Sequence, residues 1–408
     1  MRSESPAPAG TVRSLLKGNV LWLGMVSLLN DTASEMIYPL LPLFLVGTLG
    51  AGPAFIGVIE GVAESASSLL KLASGWVSDR VRRRRPLVAG GYALACAVRP
   101  LIALATLPWH VLAIRFTDRL GKGLRSAPRD ALLAESVPAH MRGRAFGVHR
   151  AADHAGAVLG PLIAALLLIH YADRLRFVFA LAIVPGILVV LTLLKVREDR
   201  PPDARPAPTA TSALEPAAFP QRRTFNRYLA VIALFTLGNA TDVFLLLRAS
   251  ALGMAEVAVP LLWGLHHVSK MIWSVPGGAL ADRFGPRRAI VAGWMVYSLT
   301  YAGFAFASQA WHIWALFVVY GLFYGLTEAP EKAFVVQLAP ATRRGSTLGA
   351  FHATVGFVAL PSSVMFGLIW QQFGAPAAFL TGAGLALAAA LLLIVLVRPS
   401  AGTRFAEA

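Results

Sequence analysis

Apolar residues recur along this chain in runs of about 20 or more, the length an α-helix needs to cross a hydrocarbon core of ~30 Å. Twelve runs follow one another, at roughly 19–48, 54–78, 86–106, 109–132, 143–169, 174–195, 225–248, 256–280, 287–307, 311–336, 344–372 and 375–397. The pattern predicts an all-α membrane protein with twelve transmembrane helices. The first run follows basic residues, as a signal peptide would. It is too long for one and continues into NDTASEMIYPLLPLF without a small-residue cleavage site, so it reads as a retained first helix.

Composition agrees: 56% of the 408 residues are hydrophobic and 14% are charged, where a soluble domain carries about 25% charged residues. The net charge of +16 raises the question of nucleic acid, and its distribution answers it. Arginines cluster in alternate loops: Arg80 and Arg82 to Arg85, Arg142 and Arg144, Arg197 to Arg227, Arg283, Arg287 and Arg288, Arg343 and Arg344. The intervening loops GTLGAGPA, ATLPWH, ASQAWH and QQFGAPA carry no Lys or Arg; only Arg174, Arg176 and Arg248 depart from the alternation. This bias places both termini in the cytoplasm and makes the basic balance a matter of topology, not of nucleic-acid binding. Cys96 is the single cysteine, so no disulfide forms within the chain.

Residues 196–224 contain six prolines and few large apolar side chains, the composition of a cytoplasmic linker. The linker separates two sets of six spans, 1–195 and 225–408, and the sets repeat. GWVSDRVRRRR at 75–85 matches GALADRFGPRR at 278–288, with Asp79 and Asp282 standing 203 residues apart. GLRSAPRDA at 123–131 matches GLTEAPEKA at 325–333, and Arg142-Gly143 and Gly147 match Arg344-Gly345 and Gly349, all displaced by 202. An even number of spans makes the repeat parallel: two pseudo-symmetric six-helix bundles about an axis normal to the membrane, an arrangement used for alternating access.

Three motifs stand on this frame. The first is the pair of loops after the second and eighth spans, Gly75, Asp79, Arg80, Arg83 and Arg84, and Gly278, Leu280, Asp282, Arg283, Gly285 and Arg287. Glycine there suits close helix approach, and aspartate suits contacts with helix termini. The second is Gly147, Gly156 and Gly160-Pro161 in the fifth span, and the third is RFTDRLGKG in the fourth, with Arg115, Asp118, Arg119 and Lys122 at helical spacing. Over essentially the whole chain these residues resemble the major facilitator superfamily, whose fold would be the one derived above. The resemblance implies that Asp79 latches one access state, that the fifth-span glycines form the motif of the superfamily's antiporters, and that Arg115 corresponds to a fourth-helix arginine. The first loop departs from the family pattern at Val77 and Arg82, the fifth span at Ala164-Ala165, and the fourth at Asp118. The segments NDTASEMIYPLLPLF, APRDALLAE and DVFLLLRA resemble a bacterial branch of the superfamily, which implies an inner-membrane location.

Candidate chemistry lies in charges that interrupt apolar spans. In EGVAESASSLLK, Glu60, Glu64, Ser67 and Lys71 fall within an arc of roughly 60° on one helix. A charge at mid-bilayer costs ~2.5–3.5 kcal/mol on insertion scales, so such a stripe turns inward. It either lines or latches a central cavity, or forms an internal ion-pair network. Asp31 and Glu35 stand at i, i+4 in the first span, Asp153 one turn from His149 and Arg150 in the fifth, and Asn239 and Asp242 in the seventh. A carboxylate in a partly dry site can take up and release a proton as access alternates. Glu35, Glu64, Asp31 and Asp153 are therefore the proton-coupling candidates. Glu60, Lys71, Arg115, Asp118, Arg119, Arg150, Asn239, Asp242, His267 and Met271 are the cavity or substrate candidates. His267 and Met271, at i, i+4, are two soft donors, too few for a metal site, and no cofactor is expected. Arg129-Asp130 and Glu331-Lys332, at repeat-related positions with reversed charges, are candidates for a gate between the halves or for solvated surface.

No P-loop is present, which removes ATP-driven transport. The expected function is a monomeric secondary transporter in a lipid bilayer that exports a small organic solute in exchange for protons. A proton symporter importing a nutrient, chelate or metal is the alternative. An intramembrane enzyme is a distant third, since neither HExxH nor GxSxG occurs.

Overall fold

A computed structural model describes residues 18–80, 83–138, 141–171, 174–198, 221–340 and 344–397, with side chains described for all of these except 71–73, 75–80, 142–144, 344 and 345. Among the described residues there is helix and no strand. Helix α1 spans Gly18–Glu35 and continues through a 3-10 turn, Tyr38–Leu40, a short helix, Leu41–Leu43, and a π turn, Phe44–Thr48. Pro39 and Pro42 lack the backbone donors a regular helix needs, which accounts for the change of winding there. The next helices are α2 (Pro53–Arg80), α3 (Arg85–Leu104, 3-10 in its last turns), α4 (Pro108–Glu135), α5 (Arg142–His170) and α6 (Leu175–Leu193).

The second set is α7 (Arg222–Ala251), α8 (Ala258–Phe284), α9 (Pro286–Phe306), α10 (Ala310–Leu338), α11 (344–373) and α12 (375–396). Helix α7 is interrupted between Gly238 and Val243, with Asn239 and Asp242 in the break. Gly285 turns the chain from α8 to α9 at φ 87°, and Gly374 separates α11 from α12 at φ 85°, backbone angles that suit glycine alone. The expected twelve runs and the observed helices thus agree closely. The linker expected at 196–224 lies mostly outside the described residues.

Among the described residues seven stretches are long and apolar enough to cross a membrane by themselves: Arg85–Leu104, Ala145–His170, Leu175–Leu193, Arg222–Ala251, Pro286–Phe306, Ala310–Leu338 and Ser346–Leu396, the last holding both α11 and α12. Helices α1, α2, α4 and α8 are absent from that set because they carry the polar and charged residues. The lipid side is written in the exposed large apolar residues, such as Ile183, Val184, Ile187, Leu188 and Leu191 on α6.

The packing repeats with an offset of six helices. In the first half α1 packs on α5 and α6, α2 on α4, and α3 on α4 and α6. In the second, α7 packs on the α11–α12 run, α8 on α10, and α9 on α10 and the same run. The two largest contacts between the halves are α2 with α11 and α5 with α8. Lipid gives helices no hydrophobic reason to associate, so close approach over small residues must supply the contact energy. At α2–α11 a Cβ on Gly57 would collide with the carbonyl oxygen of Ser363, and one on Gly61 would stand 2.9 Å from Leu360 Cα. Ser65 Oγ adds a 2.6 Å hydrogen bond to Gly356 O. These contacts run from the end of the bundles opposite the linker (the far end) past the middle of α2.

Candidate functional site

Between the two halves lies a cavity of about 310 Å³. From the first half it is walled by Asp31 and Glu35 of α1, Lys122 of α4, and Arg150, Asp153, His154 and Ala157 of α5. From the second half come His267, Lys270 and Ser274 of α8, and Tyr324, Gly325 and Glu328 of α10. These residues share it because 3.6-residue winding puts positions 31 and 35, 150, 153, 154 and 157, and 267, 270 and 274 on single helix faces.

Glu35 links the halves. Its Oε2 accepts a hydrogen bond of 2.7 Å from Trp263 Nε1 and stands 3.8 Å from His267 Nε2, both on α8. Tyr38, one turn on, packs its ring 5.1 Å from that of Trp263. Asp31 accepts from the Asn30 side chain at 2.9 Å. Asp153 accepts from Ser27 of α1 and lies 3.7 Å from His149 Nδ1 and 3.8 Å from Arg150. The antiporter-like glycines underlie this arrangement. A Cβ on Gly156 would stand 3.0 Å from Asp31 Cβ, and one on Gly160 would stand 2.9 Å from Glu35 Cβ. Bare glycine therefore lets α5 seat directly on the two α1 carboxylates. Pro161 faces Gly264 of α8 across the halves, where a Cβ on the glycine would stand 3.7 Å from Pro161 Cβ. Gly147 has no neighbour within 4 Å of where its Cβ would be, so close packing is not its role.

Several expected cavity residues are placed elsewhere. Glu60 does not line the cavity: both its oxygens accept from Arg115, at 3.0 and 2.7 Å, in a buried bidentate pair between α2 and α4. The Arg115 guanidinium lies 5.4 Å from the Tyr38 ring centre. Asp118 accepts from Arg99 Nε at 2.7 Å, and Arg99 reaches on to Asn30 O and Oδ1 at 3.1 and 2.9 Å. The Glu60–Arg115 pair is a two-point fork, whereas Asp118 takes one bond from Arg99, and neither pair lines the cavity. Arg119 and Asn239 are also not among the lining residues, and Arg119 Nε is buried without a hydrogen-bond partner. Asp242 accepts from Tyr320 at 2.9 Å and Tyr324 at 2.8 Å, one layer behind the wall. Glu64 is exposed and off the cavity wall, and Met271 is half exposed on the outer side of α8. Lys71, Gly75, Asp79 and Arg80 fall where side chains are not described.

The loop motifs act at helix ends. Arg84 pairs with Glu135, and its backbone N–H donates 2.8 Å to Glu198. Arg83 is exposed. Arg287 donates to Leu393 O and Ile394 O, the last carbonyls of α12, which lack helical partners. Asp282 and Arg283 are exposed, and Gly278 has open space around it where a close helix approach was expected. Of the two alternatives for Arg129-Asp130 and Glu331-Lys332, a gate across the halves is not formed among the described residues. Arg129 pairs with its neighbour Asp130 at 2.8 Å, Lys332 with Glu328 at 3.5 Å, and Glu331 accepts from Trp294 at 3.1 Å.

Sequence reasoning missed His154, Lys270, Ser274, Tyr324 and Glu328, and noted Lys122 in its motif without placing it at the cavity. Lys270 carried a signal: it is an ionisable residue inside an apolar span, three positions from His267 on the same face. Its ammonium lies 4.6 Å from the ring centre of Tyr324 and 5.6 Å from that of Trp263, and it makes no ion pair to a described residue.

An all-helical bundle pair around a small charge-lined cavity defines a membrane transporter. The family model of the Major Facilitator Superfamily matches residues 23–266 and 229–408, and the chain belongs to that family. An uncharacterized MFS-type transporter of Methanocaldococcus jannaschii is 32% identical over 93% of this chain and 95% of its own length. Multidrug resistance protein MdtG of Enterobacter lignolyticus is 27% identical over 76% of this chain and 74% of its own. Among solved structures, the nucleoside transporter NupG superposes with a TM-score of 0.76 at 15% identity, over 94% of this chain and 100% of that one. That likeness shows the fold. The chain is a secondary transporter with a small-molecule substrate in a lipid bilayer.

Proposed function

We propose that this transporter exports a small organic solute across the bacterial inner membrane in exchange for protons, as a monomer with both termini in the cytoplasm. The halves 1–195 and 225–408, joined by 196–224, rock about the cavity, and the packed far end is the outer gate in its closed position. The observation that carries the reading is Glu35. It lies in the cavity wall, accepts a hydrogen bond across the divide from Trp263 and stands 3.8 Å from His267 of the other half. Loading it with a proton removes the charge that holds that contact, so protonation and the relation of the halves are coupled. Asp31, one turn away, and Asp153 stand beside it as secondary proton sites. Export draws support from Gly156 and Gly160 seated on the two carboxylates and from the relatives named as multidrug resistance proteins.

The test is reconstitution in liposomes with an imposed pH gradient and a panel of compounds. Wild type is expected to move at least one compound against the direction of proton flow. Glu35→Gln should lose the pH-driven component while keeping downhill exchange. Gradient-driven accumulation at the wild-type rate in Glu35→Gln would overturn the assignment of the proton site. Movement of solute in the direction of protons would replace export by import.

A further inference from the structure

The cavity charges also bear on what the solute carries, an inference that rests on the exchange reading above. Some wall charges are already compensated: Arg150 stands 3.8 Å from Asp153, and Glu328 stands 3.5 Å from Lys332. Three are not. Asp31 and Glu35, one turn apart on α1, form no ion pair with a described lysine or arginine; their contacts are the Asn30 amide, the Ser34 hydroxyl, the Trp263 indole and His267. Lys122 is in Coulombic reach of Asp31, and Lys270 and Arg119 are in Coulombic reach of Glu35, but none of them closes to an ion pair with these two carboxylates. On the other half Lys270 rests against the aromatic faces of Tyr324 and Trp263 with neither hydrogen bond nor ion pair to a described residue. Beside it both ring nitrogens of His267 are buried without a hydrogen-bond partner.

Unpaired charges of opposite sign thus face one 310 Å³ space from the two halves. Taking charge out of water is costly unless a partner meets it. We infer that the substrate is a small zwitterion whose ammonium sits on Asp31 and Glu35 and whose carboxylate, or other compact anion, sits on Lys270 and His267. A solute bearing only a cation would leave Lys270 unmatched; one bearing only an anion would face two carboxylates. A zwitterion bridges the halves and draws them together. Its ammonium also competes with protons for the same carboxylates, the exclusivity that exchange requires.

The test measures thermal stabilisation of the purified full-length protein by ω-amino acids of four to eight carbons, each against the alkylamine and alkanoate of equal length. At least one zwitterion is expected to protect at a concentration about tenfold lower than its singly charged counterparts. Lys270→Met should erase its advantage over the amine, Lys270→Arg should keep it, and Glu35→Gln should erase its advantage over the acid. Equal protection by an amine or an acid in wild type, or no protection by a zwitterion of any length, would overturn the inference without recourse to a variant. The two readings fail separately. Zwitterion preference without pH-driven flux would remove the exchange reading and leave this one, whereas pH-driven flux of a singly charged compound would do the reverse.

Discussion

In the first half, helix α4 carries Arg115, Asp118 and Lys122; 202 residues on, α10 carries Phe317, Tyr320 and Tyr324. Glu60 of α2 likewise has Trp263 of α8 as its counterpart, displaced by 203. One helical plan is therefore filled in two ways. The first half locks α1 through α4 with directional ion pairs, Glu60–Arg115 and Arg99–Asp118 with Asn30. The second is filled by rings: Phe235 stacks on Trp294 at 4.4 Å, Tyr297 on Tyr301 at 4.0 Å, and His266 on Tyr320 at 5.1 Å. Its one carboxylate in this layer, Asp242, is held by two phenols. The charge of Glu60, Arg99, Arg115 and Asp118 holds the first half together and leaves Asp31 and Glu35 at the cavity, whereas the second half, structured by rings, leaves Lys270 unpaired there. The lesson is that a buried charge in a transporter helix marks function only after its partner is known.

The sharpest way to break this contrast is to strand one charge of the first half. Arg115→Ala leaves Glu60 buried and unpaired, and should cost about 3–5 kcal/mol. The double variant Glu60→Met/Arg115→Met imports the apolar solution of the other half and should recover most of that loss, since well-packed apolar replacements of buried pairs are often neutral. Thermal unfolding of the detergent-solubilised protein measures both. A double variant as damaged as the single one would show that the pair does more than fill space.

Next in size is the seam between the halves. Gly57→Val puts a branched side chain against the Ser363 carbonyl, and overpacking of this kind costs about 1–3 kcal/mol. The far end should then open more often. In a Cys96→Ser background, a cysteine placed at Gln371, which accepts from the Ala54 N–H at 3.3 Å, should be labelled faster by an impermeant maleimide once Gly57→Val is added. An unchanged labelling rate would remove α2–α11 as the gate.

The second half is tested at Asp242. Hydrogen bonds to charged groups contribute about 1.5–3 kcal/mol, so Tyr320→Phe and Tyr324→Phe should each lower stability within that range. Tyr324→Phe should also alter transport, because Tyr324 both lines the cavity and lies under Lys270. Equal transport effects of the two would argue that Asp242, not the cavity wall, sets the response.

How much of this was legible follows from the same physics. Span length, loop arginines and the repeat displacement are properties of one chain read in order, so the twelve helices and their pairing into bundles could be written down from sequence. Asp31, Glu35, Asp153, Arg150 and His267 were found because an ionisable residue in an apolar run is conspicuous. Glu60, Arg115, Asp118 and Asp242 are equally conspicuous, and were placed in the cavity because nothing in their own helix reveals a partner on another. Arg99, Tyr320 and Tyr324 supply those partners and lie 19 to 82 residues away from the acids they satisfy. Periodicity reports which face a residue occupies on its helix; it does not report which helix that face meets.

The smallest expected effect separates two carboxylates that sequence alone ranked side by side. Glu35 and Glu64 were both proton-coupling candidates, yet Glu35 lies in the cavity wall bonded to the opposite half, while Glu64 is exposed. Substitutions at exposed positions shift stability by about 0.5 kcal/mol or less, and a group off the cavity has no access change to couple to its proton. Glu64→Gln should therefore leave the unfolding midpoint and pH-driven flux close to wild type in the liposome assay that Glu35→Gln disables. Loss of pH-driven flux in Glu64→Gln, with downhill exchange preserved, would move the proton site onto α2 and turn that helix from scaffold into coupling machinery.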